Sequence, residues 1–171
     1  SEYRLIGYES RMLAREDFNN DRVDAGDIGA GHTVTALYEV VLADNVAGRR
    51  VDPLRYAAPA DASDDAMPMS DELAHLKLRY KLPDEDTSQL ITRPVAQGDV
   101  RAVDEVSDDI RFAGAVAGFA QLLRNPQYLD PTFGYDAVID LANGAKGADE
   151  FGQRAEFVQL VRQAKTADAM R

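Results

Sequence analysis

The feature that most constrains the fold is a strict alternation of apolar and polar side chains over residues 74–82. The apolar positions are Leu76, Leu78, Tyr80 and Leu82, and the polar positions between them are His75, Lys77, Arg79 and Lys81. Such alternation is typical of an antiparallel strand with one covered and one solvated face. Residues 83–88 are rich in turn formers and residues 89–95 form a second strand-like run, so the two segments predict a β-hairpin.

Two further strands are predicted before the hairpin, at residues 3–8 and 32–42, with a helical turn or short helix over 11–18 between them. Residues 43–72 are poor in hydrophobic side chains and contain several prolines and acids, which predicts a long loop that is functional or mobile. Part of this segment, residues 49–56, could add an edge strand.

Helical patterning follows the strands. Ser107 is a good N-cap for a helix that ends near Arg124, with Asp108 and Asp109 in its first turn. Because this helix is apolar nearly all round, we expect it to be buried on several sides. Two more helices are predicted over 134–143 and 149–167. Strands first and helices second predict an α+β fold: an antiparallel β-sheet, which could be sandwich-like, followed by about three C-terminal helices.

Composition excludes several classes of protein. The chain of 171 residues has a net charge of −11 and no cysteine. A strongly acidic chain is a poor partner for a nucleic-acid backbone, so no nucleic-acid ligand is expected. The lack of cysteine excludes disulfides, thiolate metal sites and cysteine nucleophiles. No apolar run approaches the ~20 residues of a transmembrane helix, so no membrane insertion by this module is expected.

The acidic loop 17–27 is the candidate cation site. Asp17, Asn19 and Asp21 have the first, third and fifth spacing of an EF-hand loop, and Asp24 adds another carboxylate. Arg22 and Ile28 stand where that motif needs glycine and a bidentate glutamate. Calcium binding by these four residues is therefore an alternative to the simpler interpretation, in which Asn and Asp side chains form turns. No other cofactor is predicted.

Catalytic motifs are lacking. A hydrolase that uses Asp24 and Asp27 with His32 is a third hypothesis, although no spacing among them marks a metal or nucleophile motif. A hydrogen-bonded structural role is the simpler interpretation of His32, and His75 is expected at the surface. No catalytic residue is assigned, and the chain is expected not to be an enzyme.

Lys77, Arg79 and Lys81 form a basic stripe on an acidic chain. Such a stripe could bind an acidic protein partner. The alternative is ion pairing inside the protein with acids on a neighbouring strand, such as Glu39.

Several sequence blocks together resemble a known family, the C-terminal domain that follows the von Willebrand factor type A domain in bacterial YfbK-like proteins. The blocks that carry the resemblance are residues 3–9 with Arg11, 16–19, 24–39, 76–81, 111–119 and 154–158. The resemblance extends over nearly the whole chain apart from residues 43–72. The block through His32 to Glu39 is the most specific.

The resemblance implies a longer parent protein with an export or lipoprotein signal, a metal-binding A-type domain and then this module. It implies an extracytoplasmic or membrane-tethered location and brings no catalytic residues. We therefore expect residues 1–171 to form a single module of a larger protein, mainly β over 1–100 and helical over 101–171. Its expected role is to buttress or orient the adjacent A-type domain for ligand or protein interaction, with a calcium-responsive adhesion module as the alternative.

Overall fold

The computed structural model describes residues 2–8, 12–23, 26–42 and 71–170. It groups these residues into two compact units. The first unit comprises residues 1–33 and 38–100, and the second comprises residues 34–37 and 101–171. Residues 34–37 are thus grouped with the helical part of the chain rather than with most of the strands.

The first unit contains the strands, except for Leu37 at the start of the second strand. Strand β1 is Glu2–Ile6, β2 is Leu37–Val41, β3 is Glu72–Tyr80 and β4 is Gln89–Ala96. They form two two-stranded sheets, β1 with β2 and β3 with β4. A short 3-10 helix, Arg15–Asn19, lies between β1 and β2 in sequence. The α+β class is confirmed, with these small sheets preceding the helices.

The β3–β4 hairpin matches the alternation in the sequence. Its strands are antiparallel, and Leu78 lies opposite Ile91 while Arg79 lies opposite Leu90. Because directly opposed residues share a face, each face can be listed from the register. One face carries Leu76, Leu78, Tyr80, Gln89, Ile91 and Arg93, and the other carries His75, Lys77, Arg79, Leu90, Thr92 and Pro94. We call them the Leu78 face and the Arg79 face.

The strand predicted over 32–42 is shorter in the structure. Only Leu37–Val41 is paired, because a two-stranded sheet extends no further than its shorter partner and β1 also has five residues. Arg4 of β1 binds Glu39 of β2, with the guanidinium Nη2 2.6 Å from the carboxylate Oε2. The predicted edge strand over 49–56 and the loop over 43–70 lie outside the described residues.

The second unit is a three-helix cluster. Helix α1 is Asp108–Arg124, α2 is Tyr135–Gly144 and α3 is Gln153–Asp168. As predicted, the Ser107 hydroxyl caps α1 by accepting a hydrogen bond from the Ile110 N–H at 3.5 Å. The buried core comprises Ala115, Phe119, Val138, Ala142, Val158 and Val161. Phe157 of α3 packs edge-to-face against Phe112 and Phe119 of α1 at centroid distances of 5.3 and 5.7 Å.

Two details of the helices differ from expectation. Helix α3 begins at Gln153 rather than near Asp149, because Asp149 and Gly152 have φ values of 42° and 69°, which a right-handed helix excludes. Helix α1 is not covered all round by the described residues: Ala115 and Phe119 are buried, whereas Val116 is 42% exposed. Within the described residues, no helix is long and apolar enough to cross a membrane.

Candidate interaction surface

The guanidinium of Arg79 joins the basic stripe to the acidic loop. Its Nη2 is 2.9 Å from Asp21 Oδ1, and its Nη1 is 2.9 Å from Asn19 Oδ1. Its Nε donates to the Ser88 hydroxyl at 2.8 Å. Arginine presents several donors in a fixed planar arrangement, so it can hold three acceptors at once. The two groups that the sequence offered as separate candidates therefore form one cluster.

The loop reaches Arg79 because its own backbone is folded locally. The Asp17 N–H donates to the Ala14 carbonyl, and the Asn20 N–H donates to the Asp17 carbonyl, each at 3.0 Å. These bonds form the 3-10 turn Arg15–Asn19, which leaves Asn19 and Asp21 at its end. The Lys81 ammonium also donates to the Asp21 backbone carbonyl. Arg79 in β3 and Lys81, the residue after that strand, thus hold one end of the loop.

Asp21 is the electrostatic centre of the cluster. Hydrogen bonds from the Ser88 hydroxyl and backbone N–H are the main reason that the pKa of its carboxyl lies below the ordinary value of 3.8. The positive charges of Arg79 and Lys81 lower that pKa further, while desolvation acts in the opposite direction. Asp21 is therefore held as a carboxylate in the folded protein.

This geometry bears on the candidate calcium site. Asn19 and Asp21 do lie together, but the oxygen Oδ1 of each accepts from Arg79. Asp24 lies outside the described residues, so the full set of four cannot be compared. Among the residues that are described, no group of three or more His, Cys, Asp and Glu side chains is arranged to hold a metal ion.

The structure also places the two histidines and the acid of the hydrolase hypothesis. The His32 ring Nδ1 is 3.3 Å from the Ala30 carbonyl oxygen, and the side chain is exposed. Asp27 is exposed, and Asp24 is again outside the described part of the chain. His75 is on the Arg79 face, with its Nδ1 3.4 Å from Glu72.

Glu39, the predicted partner of the basic stripe, binds Arg4, whereas Arg79 binds Asp21.

The Leu78 face of the hairpin is an exposed apolar surface. Leu76, Leu78 and Ile91 are 48%, 52% and 49% exposed, and Tyr80 on the same face is 38% exposed. Large apolar side chains adjacent on one sheet face normally pack against another layer. Exposed apolar side chains grouped on one face are a feature of interaction surfaces. The sequence alternation predicted a covered face here, and the described residues leave it open.

The helical unit has a second polar cluster, around Arg154, which sequence reasoning did not assign. Arg154 binds Asp109 at the start of α1, donates to the Ala145 carbonyl at 2.9 Å and lies 4.9 Å above the Phe112 ring. The Asp149 carboxylate accepts from the N–H groups of Arg154 and Ala155 at 2.9 and 2.8 Å. Asp149 thus caps α3 although it lies three residues before the N-cap position, Gly152. A sequence search for a capping side chain at the N-cap position itself does not find it.

Asp109, Asp149 and Arg154 line an open cavity of about 360 Å³ between the start of α1 and the α2–α3 turn. The backbone N–H bonds from Arg154 and Ala155 lower the pKa of the Asp149 carboxyl below 3.8, with desolvation opposing them. The cluster fixes the α2–α3 turn, because each of its charged groups bonds to backbone or to an opposite charge. It therefore acts as a structural brace of this turn.

Comparison with known proteins shows which proteins the chain is similar to over nearly its whole length. Residues 1–167 match the family model described as "Uncharacterized protein YfbK, C-terminal". The chain is 44% identical over 164 residues to "Uncharacterized protein YfbK" of Escherichia coli (strain K12), an alignment that covers 94% of this chain and 26% of the relative. No solved structure gives a significant match. The chain belongs to the family of YfbK C-terminal domains, as its sequence blocks indicated.

Proposed function

We propose that this chain is a non-enzymatic accessory module that buttresses or orients an adjacent von Willebrand factor type A domain of its parent protein. The observation that carries the proposal is the exposed apolar Leu78 face of the hairpin. Leu78 and Ile91 are directly opposed in register, so their side chains form one continuous apolar surface. Burying such side chains contributes roughly 25 cal/mol per Å² of apolar area, which favours a stable docked arrangement.

The Arg79 cluster supports the proposal by fixing the other side of the same hairpin. Arg79, Asn19, Asp21 and Ser88 hold the loop to the Arg79 face. A two-stranded hairpin is only marginally stable alone, so covering one face makes it a firmer support. The open face is therefore presented by a hairpin whose second side is held at Arg79 by the loop. Pre-organised surfaces lose less entropy when they dock.

The parent chain supplies the proposed partner. The chain spans 26% of the length of its Escherichia coli relative, so that relative has much further sequence. The resemblance to modules that follow an A-type domain suggests that domain as the neighbour. An extracytoplasmic or membrane-tethered location belongs to the same proposal. The net charge of −11 favours a protein partner over a nucleic acid.

The test uses the parent protein with substitutions on each face of the hairpin. Leu78→Asp places a charge on the open apolar face, and Leu90→Asp places the same charge on the Arg79 face, where Leu90 is 56% exposed. We expect Leu78→Asp to lower the melting temperature of the A-type domain and to weaken its ligand binding, while Leu90→Asp leaves both near wild type. Equal behaviour of the two variants would remove the Leu78 face from the proposal.

A further inference from the structure

The apolar Leu78 face of the hairpin carries a cation. The β3–β4 register places Arg93 of β4 directly opposite Leu76 of β3. Ile91 and Val95 lie two residues to either side of Arg93 on β4, and side chains two residues apart on a strand share a face. Leu76 and Ile91 are 48% and 49% exposed, and Val95 is half-buried. Arg93 therefore has three apolar side chains as its neighbours on this face.

The Arg93 guanidinium has no hydrogen-bond or ion-pair partner within the described residues 2–8, 12–23, 26–42 and 71–170. Arg93 is exposed, so its N–H donors are open to water. Glu72, which belongs to the same hairpin, lies 3.4 Å from the Nδ1 of His75 instead. The described part of the chain thus leaves this cation without a carboxylate.

The opposite face shows how the same hairpin accommodates a cation that another segment covers. Arg79 lies directly opposite Leu90, just as Arg93 lies opposite Leu76. There the acidic loop lies against Arg79, whose side chain is only 22% exposed, and brings Asp21 Oδ1 to 2.9 Å from the guanidinium. The segment that covers this arginine therefore also supplies its carboxylate.

We propose that the surface that docks on the Leu78 face carries an Asp or Glu side chain that pairs with Arg93. This inference rests on the proposed docking of the A-type domain at that face. Docking removes water from the guanidinium, and a charge buried without a partner is costly. A carboxylate can accept two parallel hydrogen bonds from an arginine, so it meets this requirement with one side chain. The partner surface is therefore apolar with a carboxylate opposite Arg93.

Arg93 also determines where such a surface docks. The chain has a net charge of −11, so an acidic side chain of a partner is repelled over much of its surface. Arg93 provides an attractive contact at one position of the face, beside Leu76. Apolar contacts of Leu78 and Ile91 tolerate small shifts, whereas a pair of parallel hydrogen bonds requires one geometry. Arg93 is thus the residue that sets the orientation of the docked domain.

Replacing Arg93 by an apolar residue of similar shape tests the pairing through the sign of the effect. Arg93→Met keeps an unbranched stem and removes the charge and the donors. With a carboxylate opposite, the variant leaves that carboxylate unpaired against apolar side chains, so its binding should be roughly tenfold weaker or more. Without one, the added apolar area would leave binding equal or make it tighter. Isothermal titration calorimetry of the 171-residue chain with the separately prepared A-type domain distinguishes them, and equal or tighter binding would overturn the proposal.

Lys77→Met is the matched control. Lys77 is an exposed cation of the Arg79 face, opposite Thr92, so the same loss of charge there should change the affinity by less than about twofold. Neither Lys77 nor Arg93 has a side-chain partner in the described part of the chain, and both variants should melt within about 2 °C of the wild type. Equal losses of affinity in the two variants would contradict the pairing, since net charge would then explain both.

Leu78→Asp separates this inference from the proposed function. Weak binding by Leu78→Asp together with equal or tighter binding by Arg93→Met would keep the Leu78 face as the docking surface and would overturn the Arg93 pairing alone. Unchanged binding by Leu78→Asp would overturn both.

Cross-linking identifies the carboxylate. A carbodiimide joins an ammonium and a carboxylate that are in contact as an amide, and it does not couple a guanidinium. In a mixture with the A-type domain, Arg93→Lys should give an amide between position 93 and one Asp or Glu of that domain, which mass spectrometry locates. The wild type should give no such product at position 93. Cross-links from Lys77 to the A-type domain, with none from position 93 of Arg93→Lys, would overturn the proposal.

Discussion

Arg79 and Asp21 are 58 residues apart in sequence, yet the guanidinium Nη2 and the carboxylate Oδ1 are 2.9 Å apart. This ion pair, with Asn19 and Ser88 as further acceptors, fastens the acidic loop to one face of the β3–β4 hairpin. The same contact uses two of the oxygens that the sequence offered to calcium and the central cation that it offered to a protein partner. Arg79, Asn19 and Asp21 thus contribute to the internal structure of the first unit.

Arg79→Gln should destabilise the protein because it leaves Asn19 and Asp21 without their cationic donor. We expect the melting temperature to fall by roughly 3–6 °C, the size of a lost charge-assisted hydrogen bond in a chain of this length. Lys77→Gln removes the same charge from the same face two residues earlier and is the matched control. Thermal melts by circular dichroism compare them, and equal losses would show that net charge, not the Arg79 contacts, matters.

Asp21→Asn should lower stability in a pH-dependent way. The folded-state pKa of Asp21 is below 3.8, so its contribution is fully present above pH 3.8 and is lost as pH falls through the folded pKa. We therefore expect Asp21→Asn to melt below wild type at pH 7, and the gap to close progressively below pH 3.8. Asp17→Asn, in the same loop, is the control. A gap that stays constant on acidification would contradict the role of the Asp21 charge.

Calcium should not stabilise the chain, because Asn19 and Asp21 already bind the Arg79 guanidinium. A ligand that binds only the folded state raises its melting temperature by mass action. Because we expect no calcium binding, the melting temperature should change by less than about 1 °C in millimolar calcium. Isothermal titration calorimetry provides the second measurement. A saturable heat that disappears in Asp17→Asn and Asp21→Asn would restore the calcium-responsive alternative.

Two glycines of α1 should respond in opposite ways to alanine. A Cβ at Gly118 would lie 2.7 Å from Phe133 Cζ, whereas a Cβ at Gly114 meets Leu141 Cδ2 at 3.9 Å, an ordinary contact. Gly114→Ala should gain up to about 1 kcal/mol from helix propensity. Gly118→Ala should lose about 1–3 kcal/mol, because overpacking offsets that gain. Urea unfolding measures both free energies, and equal effects would contradict the described packing of α1 against Phe133 and α2.

The parts of the fold that rest on local patterns were predictable. Alternation over residues 74–82 predicted the strand observed at Glu72–Tyr80, and the Ser107 cap predicted the start of α1. The start of α3 was not predictable from the local pattern. Asp149 caps the helix from four residues before Gln153, and its own backbone has a positive φ of 42°. Val116 of α1 was expected to be buried but is 42% exposed. The pattern of apolar residues shows that a side chain is apolar, but it does not show what covers that side chain.

The interaction site was predictable only in part. The sequence marked the basic stripe and the acidic loop as separate candidates, and no periodicity links Arg79 to Asp21 across a loop, a strand and residues 43–70. The proposed docking surface is the other face of the hairpin, where the alternation of Leu76, Leu78 and Tyr80 predicted a covered surface. The alternation does not identify the segment or protein that would cover that face.

The most direct measurement of the central claim is a binding titration between this 171-residue chain and the separately prepared A-type domain of the parent protein. Isothermal titration calorimetry would compare the wild type with Leu78→Asp and with the control Leu90→Asp. We predict saturable binding by the wild type and by Leu90→Asp, and at least a tenfold weaker association for Leu78→Asp. No binding by the wild type, or equal binding by all three chains, would contradict a docking role for the Leu78 face.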